Sequence, residues 1–188
     1  MSQMMNSMHK LMAFVVMAIT LAFAQTTHAG TAAEIDAAVQ DALKRFSTEV
    51  KGGPELLNDA KGMLVFPKVY KGGFIVGIEG GEGALLIGGK TADYYKTASA
   101  SWGLQAGAQA KTVMLVFMTT EALEKFRNSS GWKAGVDSSV AMVDVGAGAA
   151  IDTKTMRDPV VGFVFGNTGL MANLTLEGSK YEKFTPGK

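Results

Sequence analysis

Glycine is what most limits the folds open to this chain. All 23 glycines fall after residue 29 of 188, about 14% of that stretch where roughly 7% is usual. They interrupt strand-like runs: Gly77, Gly80, Gly81 and Gly83, then Gly103 and Gly107, then Gly146 and Gly148. Glycine inside a strand marks a bulge, a bend or the close approach of another backbone. A strongly bent or partly closed sheet uses such positions, whereas a flat one does not.

The runs themselves are short and either apolar or alternating: Met63–Phe66, Phe74–Ile78, Ala84–Ile87, Val113–Met118, Val140–Val145, Val160–Phe165 and Leu170–Leu176. Val113–Met118 is apolar at every position and should be buried on both faces, in the middle of the sheet. Ser99–Ala110 reads as one long strand with alanines, Trp102 and Leu104 on one face. Its other face, Ser99 to Gln109, has no charge, as expected if it packs on another backbone or lines a polar interior.

Helices precede this β region. Over residues 32–47, Ile35, Ala38, Val39, Ala42, Leu43 and Phe46 repeat at helical spacing, opposite Glu34, Asp36, Gln40, Asp41, Lys44 and Arg45. Gly52-Gly53-Pro54 breaks that helix and starts a short second one over Glu55–Ala60. Thr120 is placed to cap a third over Glu121–Arg127. The expected class is α+β: N-terminal helices packed on a Gly-rich, curved, mostly antiparallel β-sheet or partial barrel.

The first 29 residues differ in kind. Leu11–Ala24 is an uncharged apolar run of fourteen, short of the roughly 20 residues a bilayer span requires. Lys10 precedes it, and small residues follow, with Thr27 and Ala29 before Gly30 or Ala22 and Ala24 before Gln25. This is the pattern of a secretory signal, cleaved after Ala24 or Ala29, with Met1 or Met8 as the start. The expected organisation is a signal over 1–29 and a single domain over 30–188, exported to the periplasm or secreted, and soluble or peripherally membrane-associated.

Residues 30–188 contain 17 basic and 17 acidic side chains, no histidine and no cysteine. That excludes Ser-His-Asp and Cys-His catalysis, imidazole or thiolate metal sites and disulfides. Neutral balance also argues against nucleic-acid binding. Ala84–Thr91 imitates a phosphate loop, but the first glycine is one place off and no helix follows. Glu79 and Glu82 are the one pair that could serve as acid and base of a hydrolase. No cofactor is expected.

Four blocks occur in order: Ala60–Phe74 (AKGMLVFPKVYKGGF), Gly77–Leu85 (GIEGGEGAL), Ser101–Ala110 (SWGLQAGAQA) and Gly169–Lys180 (GLMANLTLEGSK). Together they resemble the SYLF domain family over residues 32–182. Asn173 stands where the family's last block usually has glycine, and no aromatic follows the Gly-rich segment around Lys90–Asp93. The resemblance implies a lipid-binding module, also described as actin-binding in fungal proteins, with bacterial members in the cell envelope. It implies a non-catalytic lipid-binding protein whose partner is an acidic phospholipid or membrane surface. An envelope scaffold with a protein partner is the alternative, and a periplasmic hydrolase using Glu79 and Glu82 a second.

The candidate head-group site is Lys68-Val69-Tyr70-Lys71-Gly72-Gly73. Pro67 is expected to end the preceding strand, since it lacks an N–H. Lys68 and Lys71 would then converge on one anion beside backbone N–H groups freed by Gly72 and Gly73. Tyr70 adds an interfacial ring, and Lys61 joins if the strand Met63–Phe66 ends near the turn. Each lysine near an anionic surface contributes only about 1 kcal/mol, so apolar contact must supply the rest.

Overall fold

The structure, a computed structural model, describes residues 29–73, 76–102, 109–145, 157–168, 176 and 178–187. The apolar run Leu11–Ala24, most of Leu170–Leu176, and Gly146 and Gly148 lie outside the described residues. No helix among those described is long and apolar enough to cross a membrane.

Three helices and eight strands are described. Helix α1 (Ala32–Glu49) and α2 (Gly53–Asp59) lead into β1 (Gly62–Gly73), β2 (Val76–Ile87), β3 (Lys90–Trp102) and β4 (Gln109–Phe117). Then follow α3 (Thr120–Asn128), β5 (Trp132–Lys133), β6 (Ala141–Asp144), β7 (Val160–Thr168) and β8 (Lys180–Lys183). The strands form one curled sheet in the order β5-β8-β3-β2-β1-β4-β7-β6, antiparallel throughout except for the parallel pair β6–β7. The α+β expectation holds.

Helix α1 starts with a capping box: Thr31 Oγ1 accepts from the Glu34 N–H, and Glu34 Oε2 accepts from the Thr31 N–H at 2.8 Å. Ile35, Val39, Ala42 and Phe46 are buried as the spacing required, in a cluster with Met63, Val65, Ala84, Leu86 and Met114. The polar side of α1 is also fixed. Asp36 accepts from the hydroxyls of Thr91 (2.8 Å) and Tyr94 (3.0 Å). Arg45 donates to Thr112 Oγ1 at 2.9 Å and lies over the Phe165 ring. The opposite face of the sheet carries a second core of Leu64, Phe66, Leu85, Leu115, Phe117, Trp132 and Tyr181, closed by Leu123 and Phe126 of α3. Val113–Phe117 therefore alternates between two cores, and its lack of polar residues is explained. Helix α3 begins one residue earlier than expected: Thr119, not Thr120, is the cap, and its Oγ1 accepts from the Ala122 N–H.

Three strand expectations change. Pro67 does not end β1. The strand runs on to Gly73, and Pro67 lies where the register shifts against both β2 and β4. A bulge needs no ladder N–H from the extra residue, so proline fits an interior strand there. The Pro67 carbonyl accepts from the Thr112 hydroxyl at 2.9 Å.

The runs around Gly80–Gly83 are one strand, β2, rather than two. Gly83 is needed because a Cβ there would stand 2.1 Å from the Val65 carbonyl oxygen of β1. The turn falls later, at Gly88-Gly89, where both φ values are positive (58° and 75°) and join Ile87 to Lys90. That is the two-residue hairpin geometry glycine favours.

Ser99–Ala110 is not a single strand. Its start closes β3 and Ala110 belongs to β4, with β2 and β1 between those strands in the sheet. Residues 103–108 lie outside those described, and pairing with different neighbours, invisible in alternation alone, divides the stretch.

Candidate functional site

In a strand, side chains three residues apart leave opposite faces. Once β1 continues past Pro67, that rule separates the residues expected to form one site.

On the face that α1 covers, cross-strand partners form rows. Glu82 on β2 lies between its partners Lys68 on β1 and Lys96 on β3; the next row is Tyr70, Gly80 and Ala98; the next is Gly72, Ile78 and Ala100. Helix α1 packs over the other end of these strands, at Met63, Val65, Ala84 and Leu86. Beyond it the sheet lies open. Tyr70 is 59% exposed and Ile78 60%, and Ala98 and Ala100 are exposed beside them. Two clefts of about 650 and 530 Å³ flank this ground and share a wall of Ala38, Pro67, Lys68 and Tyr70. Gly80 and Gly81 line the larger cleft, which Ile35, Glu82 and Lys96 also border. Lys68 makes no ion pair among the described residues, and Lys96 reaches only Glu182, at 3.9 Å.

The opposite face of the same segment is closed. Glu79 is buried between Lys111 (2.7 Å) and Lys71 (3.2 Å). Lys111 is 3% exposed. Thr97, Ser99, Ser179 and Tyr181 surround the cluster and enclose a void of about 10 Å³, room for about one water molecule. Burial pushes the Tyr181 phenol well above its ordinary range. Ser99 thus lines a polar interior, one of the two settings the sequence allowed for the uncharged side of its run, and the remaining side chains of that side lie outside those described.

The candidate residues therefore part company. Lys68 and Tyr70 share the open face. Lys71 faces the other way and is held by Glu79. Gly72 and Gly73 pair with Ile78 and Gly77 in the ladder, so they form no anion-binding turn. Lys61 precedes β1 at its far end, seven residues from Lys68, or about 23 Å of extended chain. Glu79 and Glu82 likewise point to opposite faces, and Glu82 accepts from the Gly30 N–H at 2.8 Å. They cannot act on one bond as an acid–base pair. The residues the sequence did not single out are Lys96 and Ile78. Both become visible only through the pairing of β2 with β3, because Lys90–Ala98 is too polar to announce a strand.

Among known families, the model described as "Ysc84: Las17-binding protein actin regulator" matches residues 98–184, from the end of β3 through β8. No curated protein matches the chain.

Proposed function

We propose, from the match of residues 98–184 to the Ysc84 family model and the resemblance of the chain to the SYLF family, that the chain is a non-catalytic lipid-binding protein of the bacterial cell envelope. Its ligand is the surface of an acidic phospholipid membrane. The observation that carries this is the open end of the α1-side face, where exposed Tyr70 and Ile78 occupy the two rows beyond the one that holds Lys68 and Lys96.

The chemistry matches an interface rather than a deep acyl pocket. An aromatic ring and an aliphatic side chain enter the head-group boundary, and two ammonium groups meet the phosphates. Burying what remains exposed of Tyr70 and Ile78 contributes roughly 1–2 kcal/mol each, and each lysine about 1 kcal/mol. The total, about 4–6 kcal/mol, corresponds to reversible binding between about millimolar and tens of micromolar. The family description names a protein partner instead, and the same apolar ground could receive one.

Flotation of the purified protein separates the two. We expect it to rise with vesicles of phosphatidylcholine and phosphatidylglycerol, and weakly with phosphatidylcholine alone. Tyr70→Ser/Ile78→Ser should reduce the bound fraction at least tenfold while the thermal midpoint stays unchanged. Failure to rise on any anionic mixture would overturn the lipid reading and favour the protein-binding one.

A further inference from the structure

We infer that the Ala29–Gly30 bond is the processing site, and that Glu82 is the receptor for the α-ammonium group the cut creates. The sequence leaves two cleavage positions open, after Ala24 or after Ala29. The fold distinguishes them. Gly30 N lies 2.8 Å from Glu82 Oε2, across 52 residues of chain. In the uncut chain this carboxylate meets a neutral amide. After hydrolysis, water has added across the bond under a signal peptidase: the new carboxylate leaves on Ala29, and the nitrogen stays on Gly30 and takes up a proton. The same atom pair becomes an ion pair.

The surroundings suit a positive charge at that nitrogen. Glu34, from the first turn of α1, accepts from the next N–H, that of Thr31, so two carboxylates flank the new terminus. Both also border the larger cleft. The cations nearest in the sheet are Lys68 and Lys96, the cross-strand neighbours of Glu82 on β1 and β3. The described C-terminal tail adds none: Gly187 donates to the Gly30 carbonyl at 3.2 Å and pairs with Thr31.

Residue 30 has no side chain, and a Cβ there would be 3.2 Å from Glu82 Oε2 and 3.3 Å from Ile35. Thr31 is already the α1 cap, so the cut leaves one residue before the domain. A cut after Ala24 would instead leave five residues ahead of Gly30 and a neutral amide at Glu82. A Cβ on Gly187 would stand 2.8 Å from the Ala29 carbonyl oxygen. This bond is therefore tucked against the tail once folded, and the peptidase must reach it beforehand.

The sign of the pH dependence follows. An α-amino group titrates ordinarily near 7.7–8.0, and pairing with Glu82 raises that value in the folded state. The contribution is complete below the unfolded value and is lost as pH rises through the folded one.

The test begins with the intact mass of the full chain after export from an expressing bacterium. We expect a first residue of Gly30, and in Ala29→Leu a shift of the cut to Gln25 or its loss. A native terminus at Gln25, or retention of residues 1–29, overturns the inference. On the processed protein, the difference in urea midpoint between wild type and Glu82→Gln should narrow from pH 7 to 9.5. In the Ala29→Leu chain, cut before Gln25 or not at all, the nitrogen of Gly30 stays an amide and that difference should stay flat across the same range. Should Glu82→Gln not fold, acylation of the wild-type α-amino group at pH 7 replaces it. We expect acylation at least tenfold slower in the folded than in the urea-unfolded protein, and equal rates would refute the role of Glu82.

Discussion

Lys68 and Lys71 stand three residues apart on β1 and end in different media. Lys68 lies on an open face with Tyr70 and Ile78 exposed nearby, whereas Lys71 is drawn into the closed face, where Glu79 also holds Lys111. The same three strands thus present an adhesive surface on one side and a buried polar network on the other. A lysine's contribution depends on which side it leaves, since a buried cation is fixed by its partner and an exposed one remains available to a ligand. The closed side carries two ammonium groups against one carboxylate, and the carboxylate is the member on which both depend.

The sharpest way to break this contrast is to remove that carboxylate. Glu79→Ala leaves Lys111, 3% exposed, without its counter-ion. Losing one partner of a buried pair costs about 3–5 kcal/mol, so urea unfolding should show a loss of that order. A loss under 1 kcal/mol would mean that this side is wetter than the geometry indicates. The paired control is Lys68→Ala, where a surface substitution should stay within about 0.5 kcal/mol.

Binding should show the reverse order. Lys68→Ala/Lys96→Ala removes about 2 kcal/mol of attraction to an anionic surface, roughly thirtyfold in affinity at low salt. The deficit should shrink between about 50 and 300 mM salt as screening shortens the reach of both lysines. Co-sedimentation with phosphatidylglycerol vesicles measures it. A mutant with wild-type affinity and salt response would remove this face from the lipid site. Lys71→Ala, by contrast, should leave vesicle binding unchanged because its ammonium faces the closed side.

How far all this could be read from sequence follows from the kind of signal each element left. The α1 face was legible because Ile35, Val39, Ala42 and Phe46 repeat at helical spacing, and Val113–Phe117 because no polar residue interrupts it. The curvature was legible from glycine. The division of Lys68 from Lys71 was not, since it depends on whether Pro67 ends β1 or occupies a bulge, and proline permits both. Lys96 and Ile78 were hidden for a related reason: they reach the site through the register of β2 on β3, a long-range pairing that local pattern does not encode. Two tyrosines in succession, Tyr94 and Tyr95, one toward each core, were the available sign of a strand passing between two packed layers.

The smallest expected effect lies at the α1 entry, on the same side as the open face. The backbone N–H and hydroxyl of Thr31 donate to Glu34 and hold its carboxyl below the usual glutamate range. A carboxylate depressed in the folded state stabilises above its unfolded value, near 4.3 for glutamate, and loses that contribution as pH falls through the folded value. Wild-type protein should therefore lose slightly more stability than Glu34→Gln between pH 5 and 3. Glutamine can still donate and accept in the capping box but carries no charge to titrate. Thermal midpoints of the two proteins across that range should converge on acidification. If the gap stays constant, the bonds to Thr31 act without regard to the charge of Glu34, and acid loosens this face elsewhere.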